Sequence, residues 1–262
     1  MLDFIGRYKL FIAMLAVWLI VGIAAGPAVL AIIPVCVILM HRKKMYPELI
    51  MGFFFLIVLS DSRQYYFFFA KNAKNLYLIM MALILIFDNR NFRLKAKVFY
   101  PFLPFLFFAF GLVAISPIQF FSLQKTIAYS LMFVAIPNYV LRIMKDRGEE
   151  IFKDIILFFT FVLMIGIIMI PILPDIVYLK GRFTGILGNP NGVGIFCTVF
   201  FLLLTLIIHR NPRMFNRNEL IFIYGILLFS MYLAVSRNAI FSIILFIVFL
   251  RFYKVSYWYG FV

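Results

Sequence analysis

The 262-residue sequence is 66% hydrophobic and only 13% charged, and its mean hydropathy is +1.08. A soluble chain contains roughly 45–50% apolar and about 25% charged residues, and a globule of this size has too little interior to shield the excess from water. Composition therefore excludes a soluble domain, a disordered chain, a disulfide scaffold and a coiled coil, and it indicates a polytopic membrane protein. The net charge of +15 would suggest nucleic acid in a soluble protein, but in a membrane protein basic residues mark cytoplasmic loops.

Apolar runs predict the membrane helices, because a spanning helix needs about 20 residues and satisfies its own backbone hydrogen bonds. The first run, 10–40, is long for one helix and short for two, and Gly26-Pro27 near its middle predicts a tight break. The later runs are 49–60, 76–87, 98–115, 126–141, 155–171, 192–208, 220–235 and 239–250. Interfacial tyrosines are expected to complete the short runs, among them Tyr65, Tyr66, Tyr100 and Tyr257.

The distribution of basic residues predicts the topology. If 10–40 is a hairpin, the chain crosses about ten times with both termini cytoplasmic, and 18 of the 25 Lys and Arg residues lie inside. If 10–40 is one span, Arg7 and Lys9 lie outside instead. The seven outside residues are Arg63, Lys71, Lys74, Lys125, Lys180, Arg182 and Arg237. The prediction is an all-α, multi-pass protein, with 1–262 as a single transmembrane domain, no soluble domain and no nucleic-acid partner.

Cysteine and histidine residues indicate no cofactor and no metal. Cys36 and Cys197 lie in apolar runs without metal-ligand spacing, and we interpret them as small buried side chains. His41 and His209 each lie beside an arginine in a short basic loop on the predicted inner face. The N-terminal run imitates a signal peptide, but we expect it to remain uncleaved because the apolar stretch continues to residue 40.

Two arginines on the predicted outer face precede helices that run inward. Arg182 lies near the start of the segment 180–194, which has five glycines in residues 181–194 and in which Asn189 is a natural N-cap and Pro190 a natural first helical residue. Arg237 follows Ser236, and Ser236 or Asn238 is expected to cap the next helix. Two arginines and two helix N-termini on one face suit an anion with more than one charge, such as a lipid-linked diphosphate.

Simpler interpretations exist for each residue alone. Either arginine could extend its side chain to lipid head groups, and the glycine-rich segment could be only a turn. Lys125 is a possible third cationic contact or an interfacial lysine. Asp175 could orient Arg182, act as a base or be solvated. The combination of the two segments on one face favours a functional site.

The segment 181–246 resembles the O-antigen ligase and O-antigen polymerase family. The similarity rests on Arg182-Phe183-Thr184-Gly185, on Gly188-Asn189-Pro190-Asn191-Gly192 and on Ser236-Arg237-Asn238-Ala239; upstream, only hydropathy and Gln124-Lys125-Thr126 agree. The resemblance implies that Arg182 and Arg237 bind the diphosphate, with Gly185, Asn189, Pro190, Asn191 and Ser236 as the supporting residues. It implies no metal and no cofactor.

The resemblance also implies a function. A glycan on an undecaprenyl-diphosphate carrier would be transferred, at the outer side of the bacterial inner membrane, to lipid A–core by a ligase or to another lipid-linked unit by a polymerase. Family members carry a later outer loop with a proposed histidine base, and the sequence ends at Val262 without one. The chain is therefore expected to be truncated, split or without that base, and its catalytic residue is unassigned. The alternatives are a transporter of an anionic lipid-linked substrate and an inactive remnant.

Overall fold

The computed structural model describes residues 2–88 and 95–252. Each apolar run predicted from the sequence is mostly helical, and the helices generally extend beyond the runs at one or both ends. Arg90, Arg93 and Lys254, which belong to the 18 residues predicted inside, and the predicted interfacial Tyr257 lie outside the described residues. The all-α fold class is confirmed.

Backbone contacts divide the chain into two compact units. The described part of the first unit is 2–60 and 66–151, and that of the second is 61–65 and 152–252. The helices of the first unit are α1 (Leu2–Arg7), α2 (Lys9–Ala25), α3 (Val29–Arg42), α4 (Tyr46–Ser60), α5 (Phe69–Phe87), α6 (Leu103–Ile115) and α7 (Gln119–Arg147). Short 3₁₀ helices lie at Gly26–Ala28, Tyr65–Phe67 and Ala96–Phe102.

The chain reverses direction between α2 and α3. Gly26 has a φ of 47°, and the three-residue 3₁₀ turn Gly26–Ala28 joins the two helices. Trp18 Nε1 on α2 donates to Cys36 Sγ on α3 at 3.5 Å, whereas a straight helix would separate residues 18 positions apart by about 27 Å. The predicted break at Gly26-Pro27 is confirmed, and it forms a helical hairpin.

Tyr77 lies at the centre of the first unit. Its ring packs edge-on against Trp18 and stacks on Phe53, and its buried hydroxyl donates to the carbonyl oxygen of Leu49 at 3.0 Å. Gly52 makes this possible, because a Cβ there would lie 2.8 Å from the Tyr77 hydroxyl. One aromatic side chain therefore joins α2, α4 and α5.

The basic ends of several helices meet at one end of the first unit. His41 at the end of α3 contacts Asp88, which follows α5, and Tyr139 on α7. Two turns further along α7, Arg147 Nη1 donates to the hydroxyl of Tyr8 before α2, at 3.0 Å. Basic segments that the charge rule assigns to one side of the membrane are thus adjacent within this unit.

The described part of the second unit contains four long helices, one short helix, a 3₁₀ helix at Gly185–Leu187 and one short β-hairpin. The helices are α8 (Glu150–Ile168, whose first two residues belong to the first unit), α9 (Pro174–Val177), α10 (Pro190–Arg210), α11 (Arg217–Ala234) and α12 (Arg237–Phe252). Strands β1 (Tyr178–Leu179) and β2 (Arg182–Phe183) pair antiparallel through a two-residue turn, Lys180-Gly181, with positive φ at both positions. This hairpin was not predicted from the sequence.

The helices of the second unit alternate in direction between two ends. At one end, Lys153 at the start of α8 binds Glu219 at the start of α11, with Nζ 3.0 Å from Oε2. At the other end, Gly166 near the end of α8 contacts Gly185, just ahead of α10. Arg182 and Arg237 lie at this second end, and Arg213 lies in the loop that joins α10 to α11.

Among the described residues, seven helical stretches are long and apolar enough to cross a membrane, and α4 is a shorter apolar helix. The 34-residue stretch Lys9–Arg42 counts among the seven, although it is folded back on itself. The protein is therefore a multi-pass helical membrane protein. The total of ten crossings, the cytoplasmic termini and the single domain 1–262 remain predictions.

Candidate functional site

The glycine-rich segment before α10 is a compact turn held by close backbone contacts. Gly185 has a φ of +50° and lies against Gly166, where a Cβ on Gly166 would come within 2.9 Å of the Gly185 Cα. Gly188 has a φ of +61°, and a Cβ there would collide with Ser62. Only glycine meets both requirements at residue 188. These two residues hold the turn in place and do not line the cavity described below.

The start of α10 has the predicted cap. Asn189 has an extended backbone, and its Oδ1 accepts a hydrogen bond from the Asn191 backbone N–H at 3.1 Å. Pro190 is the first helical residue, where its missing N–H costs nothing. The capping roles predicted for Asn189 and Pro190 are confirmed.

Arg182 binds the C-terminal end of α11. Its Nε and Nη2 donate to the carbonyl oxygen of Ala234 at 3.1 and 2.9 Å, and Nη2 also donates to that of Val235 at 3.2 Å. These carbonyls have no partner within the helix and carry its negative dipole end. Nη1 makes no hydrogen bond to any residue in the described ranges. Arg182 therefore stabilises the α11–α12 connection and keeps one donor group for a ligand.

Arg237 has a different environment. It is the first residue of α12, and its side chain is exposed. Across residues 2–88 and 95–252, its guanidinium group makes no hydrogen bond or ion pair. Because Arg182 contacts the carbonyl of Val235 and two peptide units span at most about 7 Å, the Arg182 guanidinium lies close to the backbone of Arg237. The turn between them is strained, since Val235 has a φ of 50°.

The first turns of α10 and α12 contact each other. A Cβ on Gly194 of α10 would collide with Ser236 Oγ and lie 3.3 Å from the Cβ of Ala239. Ser236 occupies the N-cap position of α12 and is buried against this glycine. The two helix N-termini are thus adjacent within the second unit, as the sequence predicts.

A cavity of about 790 Å³ lies at these helix ends, and both arginines line it. Its polar side chains are arginines, amides and hydroxyls, and its remaining wall is aliphatic. The lining residues are Arg182, Asn191, Ile195, Thr198, Val199, Val235, Ser236, Arg237, Asn238, Ala239 and Ser242. Cations beside an apolar wall suit an anionic group that is attached to a hydrocarbon chain.

A carboxylate approaches the first turn of α10. A Cβ on Gly192 would lie 2.8 Å from Asp61 Oδ2, so Asp61 already places negative charge beside this N-terminus. Asp61 belongs to the segment 61–65, which also binds the turn through Arg63 N–H and the carbonyl of Gly188 at 3.3 Å. The start of α12, and not that of α10, is therefore the better position for an added anion.

The other predicted residues lie elsewhere. Asp175 on α9 is exposed, and its backbone carbonyl accepts from Gln64 Nε2 at 3.4 Å. Lys125 belongs to the first unit, where its Nζ lies 4.4 Å from the centre of the Phe121 ring. His209 is in the last turn of α10, at the end opposite Asn189.

Asn191 was predicted as a supporting residue and Asn238 as a possible cap, whereas the cavity residues Ile195, Thr198, Val199 and Ser242 were not predicted from the sequence. Ile195 and Thr198 follow Asn191 at helical spacing along α10, and Ser242 follows Asn238 along α12. This spacing is a detectable signal once the caps set the start of each helix. Within the described ranges, no group of three or more His, Cys, Asp or Glu residues could hold a metal ion.

No protein-family model, curated protein or solved structure matches this chain. The fold and the site together define a multi-pass helical membrane protein with a cationic, partly apolar cavity at the ends of α10, α11 and α12. The ligand class must therefore come from the chemistry of this cavity and from the motif resemblance.

Proposed function

We propose that this protein is an O-antigen-ligase-like component of the bacterial inner membrane that binds an undecaprenyl-diphosphate-linked glycan at the Arg182–Arg237 cavity. The observation that carries the proposal is that two arginines, distant in sequence, line one cavity at the start of α12. The motif resemblance over 181–246 supplies the substrate class. In this role the protein contributes to lipopolysaccharide or surface polysaccharide synthesis on the outer side of the membrane.

The cavity suits both parts of such a donor. The guanidinium group of Arg237 and the Nη1 group of Arg182 can donate to phosphate oxygens. The aliphatic wall at Ile195 and Val199 suits the polyprenyl chain. As the bond between the sugar and the phosphate oxygen breaks, negative charge grows on the diphosphate, so fixed cations stabilise the transition state more than the ground state.

The proposal assigns donor binding to this chain and assigns no base for the acceptor hydroxyl. The donor is a lipid-linked glycan, and the acceptor is lipid A–core in the ligase reaction. In the polymerase reaction, the same cavity would hold the same donor diphosphate while another lipid-linked unit attacks. Glycan transfer requires that the acceptor hydroxyl lose its proton to a general base, and the residue that acts as this base is unassigned.

Binding of undecaprenyl diphosphate to the purified full chain in detergent tests the proposal directly. We expect Arg237→Gln to weaken binding about 10- to 100-fold, because each hydrogen bond between charged groups contributes about 1.5–3 kcal/mol. Arg213→Gln is the control, since it removes an exposed arginine from the α10–α11 loop, outside the cavity. Equal affinity of wild type and Arg237→Gln would rule out the site.

Deletion of the gene distinguishes the two reactions. A ligase role predicts that glycan attachment to lipid A–core is lost while the lipid-linked polymer keeps its normal length. A polymerase role predicts that single lipid-linked units accumulate. If both the polymer and its attachment stay normal, the protein has neither role.

A further inference from the structure

The first unit contains a partly buried polar cluster that the proposed function does not use. His41 on α3 is 7% exposed, and its Nε2 lies 2.8 Å from Asp88 Oδ2, just after α5. Its Nδ1 lies 3.1 Å from the hydroxyl of Tyr139 on α7, which is fully buried. The three side chains connect the ends of three helices.

His41 connects the ends of α3 and α5 with Tyr139 on α7 through its two ring nitrogens. A neutral ring with its proton on Nε2 can donate to the Asp88 carboxylate while Nδ1 accepts from the Tyr139 hydroxyl, so both contacts are satisfied at once. Both ring nitrogens are therefore engaged within the protein. His41 orients Asp88 and Tyr139, and it fixes the helix ends around it.

A second cavity, of about 660 Å³, lies beside this cluster. Arg42, Lys44 and Arg142 bring three cationic side chains to its wall, and Asp88 is the single carboxylate among the described lining residues. Arg142 pairs with Asp146, Nε to Oδ2 at 3.2 Å. Arg42 and Lys44 are exposed and make no ion pair with any described residue. The remaining lining residues are Ile38, His41, Tyr46, Ile84 and Phe87.

Lys44 lines this cavity and has a left-handed backbone conformation. Its φ is 57°, in the left-handed region that favours glycine. Its N–H donates to the carbonyl of His41 and the N–H of Met45 to that of Met40, both at 2.9 Å, which closes the end of α3. The neighbouring Lys43 has an ordinary φ of −81° and does not line the cavity. The two lysines therefore differ in position although they are adjacent in sequence.

We propose that this second cavity binds a phosphate group, either in the head group of an anionic lipid or as a free anion. The positive-inside rule explains why basic residues gather near helix ends. It does not require three of them to line one cavity that His41 also lines. The apolar residues Ile84 and Phe87 extend the cavity wall, and they favour a phosphate that is attached to an acyl chain. Basic pockets between membrane helices bind lipid phosphates in this way.

The test compares Lys44→Gln with Lys43→Gln in the full chain, purified in neutral detergent. Native mass spectrometry measures the retention of phosphatidylglycerol against phosphatidylcholine. We expect Lys44→Gln to reduce phosphatidylglycerol affinity about five-fold, which is the contribution of one basic residue near an anionic head group. Lys43→Gln removes the same charge one residue away and should leave the affinity unchanged. Arg42→Gln combined with Lys44→Gln should reduce it about 25-fold.

Lys44→Gly separates binding from folding. It removes the charge and also the backbone strain, so thermal stability should stay the same or rise while phosphatidylglycerol retention falls. Equal losses from Lys43→Gln and Lys44→Gln, or no loss from Lys44→Gly, would overturn the proposal.

A second arm identifies the source of the phosphate. Thermal stabilisation by inorganic phosphate is measured for the wild type and for Lys44→Gln in the absence of anionic lipid. Stabilisation of the wild type alone supports a free anion. Retention of phosphatidylglycerol that phosphate does not displace supports a lipid head group. If neither probe distinguishes the wild type from Lys44→Gln, the cavity does not bind phosphate.

Discussion

The two arginines of the candidate site look alike in sequence but differ in what they contact. Arg182 directs Nε and Nη2 to the last carbonyls of α11, whereas Arg237 makes no hydrogen bond to a described residue. Arg182 thereby holds the strained turn at Val235, which fixes where α12 begins. Arg182 is mainly a positioning residue, and Arg237 is the group better placed to contact a ligand.

Lysine substitutions should separate these roles. Arg182→Lys replaces the planar guanidinium group by a compact ammonium group. The ammonium group cannot donate to both carbonyl oxygens in the same geometry. We expect it to lower the free energy of unfolding by about 1–3 kcal/mol, whereas Arg237→Lys should leave stability unchanged. Thermal unfolding of both variants in the same detergent measures the difference. Equal stability of the two would show that the Arg182 contacts contribute nothing.

Small residues set how closely the helices of the second unit approach one another. Gly194 lets α10 contact the N-cap of α12, and Gly166 lets α8 contact the turn at Gly185. Close approach at small residues is a common way for membrane helices to pack. The width of the cavity between α10 and α12 therefore depends on Gly194.

Gly194→Ala should destabilise the protein and weaken ligand binding together. The added methyl would lie 2.8 Å from the Cβ of Ser236, an atom that cannot rotate away, so α10 and α12 must separate. We expect a loss of about 1–3 kcal/mol in unfolding free energy and weaker binding of undecaprenyl diphosphate.

Gly225→Ala in α11 is the matched control for this substitution. A Cβ at Gly225 has no neighbour within 4 Å, and alanine favours the helix by about 1 kcal/mol. The control should therefore be as stable as the wild type or more so. A Gly194→Ala protein that behaves like the Gly225→Ala protein would show that the helices are not in close contact.

For the whole molecule, local signals predicted the helices well. Apolar runs, the Gly26-Pro27 break and the Asn189-Pro190 cap all act through nearby backbone sterics and hydrogen bonds, which a sequence displays directly. The β-hairpin at Lys180-Gly181 was missed because its strands have only two residues each.

Contacts between distant segments were not predictable from one sequence. The docking of 61–65 on the turn before α10 joins residues more than 100 positions apart, and the His41–Asp88–Tyr139 cluster joins three helices. The arginines were found through their motifs, but the use of Arg182 as a cap for α11 depends on tertiary packing. No periodicity or spacing encodes such a contact.

Cysteine labelling on intact cells tests the predicted topology of the whole chain, in a background that lacks Cys36 and Cys197. An impermeant maleimide should label Lys180→Cys at the candidate-site end of the second unit, and it should reach Arg213→Cys only after the membrane is permeabilised. Both positions are exposed, and the charge distribution places them on opposite sides. The reverse pattern would put the Arg182–Arg237 cavity on the cytoplasmic side and remove its access to a donor presented outside.

The same labelling decides whether the two ends of the α2–α3 hairpin lie on one side of the membrane. Lys9 and Lys43 bracket the α2–α3 hairpin and are both exposed. Because the hairpin reverses at Gly26, cysteines at both positions should be protected in intact cells and labelled together after permeabilisation. Labelling of Lys9→Cys alone from outside would mean that α2 and α3 cross as one span. The helices have only 17 and 14 residues, fewer than the roughly 20 that a full crossing needs, so a hairpin that crosses twice requires a locally thinner membrane or flanking residues that extend each crossing.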